Sequence, residues 1–335
     1  MNQCPIQSEC GGCPQMVASS DAQRERHTAH VERLLNLPVL DYHESPRRLG
    51  YRARIDLTRG PSGQLGYRAH RSHVSIPVSN CPIARPEINV VLEQIGEVPR
   101  AVERVSLRSD GTRVVVHALC KDKNRGRVKA WISTLEHIDA DLAVNGRGVH
   151  GDPTTHLKVS GISHRLSPST FYQVNLEVNE RLVADVVDHV VSRAPSAVLD
   201  LFSGAGNLSM PLAARGLKTT MIEAHPTATK DARRTAVDHA LEPDIRSGRA
   251  EDFQAGDAFF DVAILDPPRK GAGAVIDQVL LTRPKAVVMV SCNTRALASD
   301  LRRAEKQGYR MNGVSLYEMF PHTDHIEAVG VLSST

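Results

Sequence analysis

Residues 261–293 read DVAILDPPRKGAGAVIDQVLLTRPKAVVMVSCN. Two apolar runs, 262–265 and 286–290, are short and rich in β-branched residues, which specifies buried parallel strands rather than helices. The interval between them reads as a helix. In an open α/β sheet the carboxyl ends of the strands form the ligand crevice, so Asp266 and Cys292 are expected at its mouth, on neighbouring strand ends.

The same alternation extends in both directions. Upstream, Leu182, Val183, Val186, Val187, Val190 and Val191 repeat at helical spacing, and AVLDLF follows as a strand. LSMPLAARG then reads as helix, KTTMIE as strand, and residues 228–239 as helix. Downstream, a helix to about residue 306 precedes a closing pair of strands. This order specifies a C-terminal doubly wound, Rossmann-like α/β sheet over residues 166–335.

Residues 41–165 have a different texture. Short alternating segments such as RARIDLTR, QLGYRAHR, RVVVHALC and HLKVSG, separated by turn residues, predict a β-rich α+β central domain. Arg47, Arg48, Arg52, Arg54, Arg59, Arg68 and Arg71 interleave with Tyr42, Tyr51 and Tyr67, a composition suited to phosphates and stacked bases. The plainer alternative is a solvated strand face with core tyrosines. A chain of 335 residues is long for one domain, and a net charge of +3 asks any nucleic-acid partner to find a local basic surface. There is no run of about 18 apolar residues and no signal-peptide pattern, so a cytoplasmic protein without a membrane partner is expected.

Cys4, Cys10 and Cys13 crowd the N-terminus, and Cys81 stands in SNCPIA. In a reducing compartment such a set favours metal over disulfides, and a triplet with a remote singleton suits a four-thiolate iron–sulfur cluster better than zinc. The cluster segments are therefore 1–40 and 75–90. Cys120, inside a strand-like run, reads as a small buried hydrophobe.

The first strand of the C-terminal sheet ends in Asp200-Leu-Phe-Ser-Gly204-Ala-Gly206-Asn207. Its glycines let the backbone turn tightly towards a ligand, and Glu223, closing the next strand, is placed to accept the hydroxyls of a ribose. Ser209 stands where a dinucleotide loop has its third glycine, which suits an adenosyl amino acid better than a pyrophosphate. Methyltransferases acting on exocyclic amines follow D/N-P-P with an aromatic residue, whereas position 269 is arginine. With Cys292 on the adjoining strand end, carbon methylation of a pyrimidine fits better, because uracil C5 becomes nucleophilic only after a thiolate adds to C6.

STFYQVN, LDLFSGAGN, DPPRKG, SCNTRAL and PHTDHIE, with the N-terminal cysteines and SNCPIARPEIN, resemble the bacterial S-adenosylmethionine-dependent RNA (uracil-C5-)methyltransferases. The resemblance spans almost the whole chain. It implies that Cys292 is the nucleophile, that Glu327 is the base, and that Gln173, Phe202, Asn207, Glu223 and Asp266 contact the methyl donor or hold the uracil, beside Gly204 of the loop. It also implies a [4Fe-4S] cluster on Cys4, Cys10, Cys13 and Cys81. Several members carry an oligonucleotide-binding barrel ahead of the cluster and this chain begins at the cluster, which leans towards the shorter branch acting on 23S ribosomal RNA. The expected protein is a monomer that forms 5-methyluridine in RNA. The alternatives are a transfer-RNA uracil enzyme, a cytosine-C5 or exocyclic-amine methyltransferase, and a non-catalytic RNA-binding iron–sulfur protein.

Overall fold

The structure is a computed structural model, and it describes residues 4–69, 72, 74–121, 125–254 and 259–334. Helix α1 (Ser20–Leu35) starts where the Ser19 hydroxyl accepts from the Ala22 amide, and it leads into strand β1 (Val39–His43). Strands β2 (Arg54–Arg59), β3 (Leu65–Arg68), β4 (Ser75–Pro77), β5 (Val102–Ser109), β6 (Val114–Cys120), β7 (Asp141–Val144) and β8 (Arg147–His150) form one sheet in the order β4-β3-β2-β5-β6-β7-β8. Helix α2 (Pro86–Ile95) has proline in its first turn and sets Ile88, Val91, Leu92 and Ile95 against the inward residues Ile55, Leu57, Val105 and Leu107 of that sheet. Helix α3 (Arg125–Thr134) crosses between the parallel strands β6 and β7. Both helices fall in the stretch whose sequence predicts a β-rich α+β domain without placing its helices.

After the hairpin β9 (Thr155–Val159) and β10 (Ile162–Leu166) come α4 (Leu176–Val191), β11 (Ala197–Leu201), α5 (Ser209–Ala213), β12 (Lys218–Glu223), α6 (Pro226–Asp238), β13 (Asp244–Ser247) and β14 (Val262–Leu265). The chain closes with α7 (Ala274–Leu281), β15 (Ala286–Ser291), α8 (Thr294–Glu305), β16 (Tyr309–Tyr317) and β17 (Glu327–Ser334). The large sheet runs β1-β16-β17-β15-β14-β11-β12-β13, parallel from β15 to β13, with β17 inserted antiparallel between β15 and β16. Val183, Val186, Val187 and Val190 of α4 cover one face of it, and Ile276, Val279, Leu297 and Leu301 of α7 and α8 cover the other. Burial on both faces is why β11, β14 and β15 read as continuous apolar runs.

Two segments read as part of the central domain lie elsewhere. Residues 41–43 belong to β1, which pairs in parallel with β16, Tyr42 opposite Leu316. The β9–β10 hairpin packs on α4 and α6 instead of joining the central sheet, so the change of sheet falls between β8 and β9, ahead of residue 165.

Asp261, where the deciding stretch begins, anchors three strands at once. Its carboxylate accepts from the Ser196 amide (2.6 Å) and hydroxyl (2.5 Å) and the Ala197 amide (3.3 Å), and it pairs with Lys285 Nζ at 2.8 Å. These bonds hold its pKa far below the usual carboxylate range, Lys285 contributing most. Because the folded value lies below the unfolded one, the stabilisation is present above about pH 4 and is lost as pH falls through the folded pKa. Asp261→Ala is expected to lower the unfolding free energy by about 2–3 kcal/mol at neutral pH in urea titrations, with the deficit shrinking in acid.

Candidate active site

Strand register brings the crevice together. Ser291 of β15 lies opposite Ala328 of β17, so Cys292, which follows, meets the edge where Glu327 begins its strand. Leu265 of β14 pairs with Met289 of β15 and with Leu201 of β11, and Leu201 pairs with Ile222 of β12. Glu327, Cys292, Asp266, Phe202 and Glu223 therefore sit at one end of five adjacent strands, with Asp266 and Cys292 on neighbours as the sequence indicates.

Each of these residues is held by local bonds. Gly271, at φ +84°, turns the chain after DPPRK where a Cβ would come within 2.9 Å of the Asp300 carboxylate, and that carboxylate accepts from the Ala272 (2.8 Å) and Gly273 (2.9 Å) amides. The Asn293 amide nitrogen donates to the Arg269 carbonyl (2.7 Å), tying this turn to the S-C-N triplet. Asn293 also caps α8, accepting from the Arg295 amide at 3.1 Å. Cys292 thus lies at a helix start and is half-buried.

The electrostatics of the three groups are linked. Burial, then the Glu327 and Asp266 carboxylates, push the Cys292 thiol up to about 11, and the Arg269 guanidinium pulls it down. Glu327, only 2% exposed, is driven well above the carboxylate range by burial and by Asp266, again opposed by Arg269. Asp266, only partly open to solvent, is pushed to about 7 by burial. Burial and the neighbouring carboxylates therefore favour the protonated forms of Cys292 and Glu327 in the resting site, and added positive charge favours their ionisation. Arg269→Gln removes such a charge. Alkylation of Cys292 by iodoacetamide at about pH 9, read on its tryptic peptide by mass spectrometry, is expected to slow about three- to tenfold.

The glycine loop follows β11. Phe202 takes φ +64°, a strained conformation for an aromatic residue, and Gly206 at φ +91° leaves no room for a Cβ, which would meet Met210 Cγ at 2.7 Å. Glu223 accepts from the Gly204 amide (2.9 Å) and from the His225 amide (2.6 Å), so the carboxylate that closes β12 also fixes the loop while keeping lone pairs for a ligand. Asp200, 1% exposed and pushed to about 8 by burial, lies beneath the loop and accepts from the Ser209 hydroxyl. Asn207 exchanges two amide hydrogen bonds of 2.9 Å with Asn179 of α4. Gln173 is half-buried, one residue ahead of Val174, whose carbonyl accepts from the Ala53 amide at 2.7 Å and so joins this segment to the central domain.

The sequence reading missed Asn179, which has no local signature, and Phe171, whose ring is 66% exposed two residues before Gln173. The aromatic pair in STFYQVN was the available signal for the latter. Most of the arginine set, by contrast, has structural work. Arg48 binds both oxygens of buried Glu318, Arg54 bonds Asp56 and Ser106, Arg59 donates to the Val98 and Gly60 carbonyls, and Arg52 lies against the Tyr51 and Phe320 rings. Tyr51 is fully buried. Arg47 and Arg68 are exposed, and Arg71 lies outside the described residues.

Cys4, Cys10, Cys13 and Cys81 line one cavity of about 210 Å³ with Ile6, Met16, Val78 and Ile83, and no disulfide joins them. Cys13 is pushed up to about 12 by burial and then by Cys81, with Cys10 and Cys4 adding to the shift and Arg52 opposing it. Among the described residues no three Cys, His, Asp or Glu side chains are arranged for a single metal ion. Four thiols facing an apolar space of this size fit a polynuclear cluster better than a lone ion. Asn89 clamps the backbone of Cys81 through its amide (2.9 Å) and carbonyl (3.1 Å), and the Tyr67 hydroxyl lies 3.7 Å from its sulfur. Cys120 is half-buried and apart from this set.

Comparison with known proteins bears on the family and the fold. The family model described as tRNA (Uracil-5-)-methyltransferase matches residues 235–335, and that described as Methyltransferase small domain matches residues 167–281. The 23S rRNA (uracil(1939)-C(5))-methyltransferase RlmD of Pectobacterium carotovorum is 30% identical over 361 residues, covering 98% of this chain and 79% of that protein. The protein of the same description from Salmonella paratyphi A is 31% identical, covering 97% and 80%. The crystal structure of Pyrococcus abyssi tRNA (uracil-54, C5)-methyltransferase with S-adenosyl-L-homocysteine superposes with a TM-score of 0.80 at 23% identity, covering 96% of this chain and 86% of that one. Fold and site together define an S-adenosylmethionine-dependent methyltransferase. The chain belongs to the RNA (uracil-C5-)methyltransferase family.

Proposed function

We propose that this enzyme forms 5-methyluridine in 23S ribosomal RNA, acting in the cytoplasm as a monomer. The observation that carries the reaction is the convergence of Cys292, Asp266, Glu327 and Arg269 on adjacent strand ends beside the glycine loop. The ribosomal substrate is supported by the descriptions of the Pectobacterium and Salmonella relatives. The target uridine must leave its stack for its C6 face to meet a sulfur.

The Cys292 thiolate forms a bond to C6, and the C5–C6 π electrons move into an enolate centred on C5 and O4. Phe202, Gly204, Asn207 and Glu223 would hold S-adenosylmethionine, which would supply its sulfonium methyl group to that carbon with S-adenosylhomocysteine as the leaving thioether. Glu327 as carboxylate takes the C5 proton, the electrons of that bond re-form C5=C6, and Cys292 leaves as thiolate. Asp266 and Gln173 orient the uracil at the crevice floor. The raised pKa of Glu327 suits this task, since it makes the carboxylate a stronger base once ionised. Cys4, Cys10, Cys13 and Cys81 are the residues that would hold a [4Fe-4S] cluster, which would brace the N-terminal segment against the central domain.

Two measurements test these proposals. Nucleoside mass spectrometry with position mapping, on RNA from cells with and without the protein, is expected to show 5-methyluridine lost at one position of the large ribosomal subunit. Loss confined to transfer RNA overturns the ribosomal assignment, and loss of a methylated cytosine or amine overturns the chemistry. Anaerobically purified protein is expected to carry about four irons, falling below about one in Cys13→Ser. Stoichiometric zinc without iron removes the cluster.

A further inference from the structure

Gln23 of α1 is fully enclosed, and its amide is saturated on both sides. Nε2 donates to the Gln15 (3.1 Å) and Ala18 (2.8 Å) carbonyls, while Oε1 accepts from the His322 amide (2.9 Å) and Arg48 Nη2 (2.7 Å). A primary amide has two donor hydrogens and two acceptor lone pairs, so nothing is left over for another role. One side chain thereby joins the segment that follows Cys13 to the connection between β16 and β17, and α1 lies almost three hundred residues from that connection in sequence.

The connection depends on outside support. His322 holds φ +69°, a conformation that a non-glycine residue leaves when released. Its carbonyl accepts from the Gln15 amide (2.9 Å), and its Nε2 donates to the Arg48 carbonyl (3.0 Å). The next carbonyl, of Thr323, accepts from His27 Nε2 (2.9 Å), and the Gln15 side chain donates to Asp324. Four residues of the N-terminal segment thus grip three consecutive residues of the loop. That loop ends at Glu327, and its Phe320 and His325 rings meet edge to face, with Arg52 over the Phe320 ring.

We propose that Gln23 is a positioning residue for removal of the C5 proton: with Gln15 as its second arm, it holds the loop that presents Glu327 and fastens it to the cysteine-bearing segment. The proposal rests on the reading that Glu327 takes that proton. Gln23→Leu leaves the His322 amide and the Gln15 and Ala18 carbonyls without this partner, so the loop relaxes while β15 and the glycine loop stay in place. Addition of Cys292 and methyl transfer continue, and the step after them slows.

The test uses the full-length protein and an RNA substrate. Gln23→Leu is expected to lower kcat about 10- to 100-fold with KM for S-adenosylmethionine within about twofold. The C5-methylated Cys292–uracil adduct accumulates on ordinary uridine RNA as a retarded band in a denaturing gel. With 5-fluorouridine RNA, which stalls after methyl transfer in the parent enzyme too, the variant forms adduct within about threefold of the parental rate. Gln15→Leu shows the same pattern with a smaller loss, as does Gln23→Glu, which keeps both acceptor contacts and forfeits both donor contacts. These two variants carry the test should Gln23→Leu not fold. Unchanged kcat in all three, or a loss matched by equal loss of 5-fluorouridine trapping, overturns the proposal. Glu327→Gln serves as the control. If it accumulates no adduct, the assignment of Glu327 falls, whereas adduct in Glu327→Gln without any in the glutamine variants removes the positioning role alone.

Discussion

Cys292→Ala abolishes 5-methyluridine formation in the expected result, with turnover falling by at least about 10⁴-fold and no covalent adduct trapped by 5-fluorouridine RNA. No other group can replace the sulfur, because C5 of uracil is nucleophilic only while C6 carries an added nucleophile. Cys292→Ser fails to the same extent, since a serine hydroxyl ionises far above the thiol and is a far weaker nucleophile towards C6. The fold is not the cause of the loss. Cys292 lies past the end of β15 and is half-buried, so its truncation costs less than about 1 kcal/mol, and thermal melting and S-adenosylmethionine binding stay at parental values. Residual methylation above about one part in a thousand, or a trapped adduct in the alanine variant, would place the nucleophile elsewhere.

Glu327→Gln separates the two halves of the reaction. Turnover is expected to fall about 10²- to 10⁴-fold, the contribution of a positioned base, while a methylated covalent adduct builds up on unmodified RNA. The pH behaviour follows from the directions found in the resting site. Burial and the neighbouring carboxylates raise both Cys292 and Glu327, so kcat/KM climbs with pH as these groups ionise, and the Cys292 limb lies in the alkaline range. A bound sulfonium adds positive charge and lowers both values, which moves the rising limb of kcat to lower pH. In Glu327→Gln a carboxylate that raises the thiol has gone, so Cys292 alkylation is expected to speed up at about pH 9, opposite in sign to Arg269→Gln. A change in the same direction for both variants contradicts the arrangement of charges.

The catalytic half was legible because its physics is local. Strands β11, β14 and β15, buried on both faces, appear as unbroken Val, Ile and Leu runs, and the residue after each of β14 and β15 lands in the crevice whatever the rest of the chain does. Strand β1 was not legible, since VLDYH acquires its meaning only from β16, some 270 residues later in the chain. The hairpin β9–β10 alternates like the central strands before it, and only packing on α4 and α6 assigns it to the other half. Composition likewise suggested one basic surface from the arginines of residues 47–71, whereas Arg48, Arg52, Arg54 and Arg59 are taken up by Glu318, Tyr51, Asp56 and backbone carbonyls. Gln15, Gln23 and Asn179 act through tertiary hydrogen bonds, which leave no periodicity to read.

The parallel pairing of β1 with β16 has a consequence for biosynthesis. Because Val39–His43 docks beside a strand among the last to be synthesised, and α1 packs on α8, that strand and helix have no finished seat while the ribosome is still translating the middle of the protein. Docking of α1 onto the large sheet is therefore a post-translational event, timed by release of the C-terminus and not by emergence of the N-terminus.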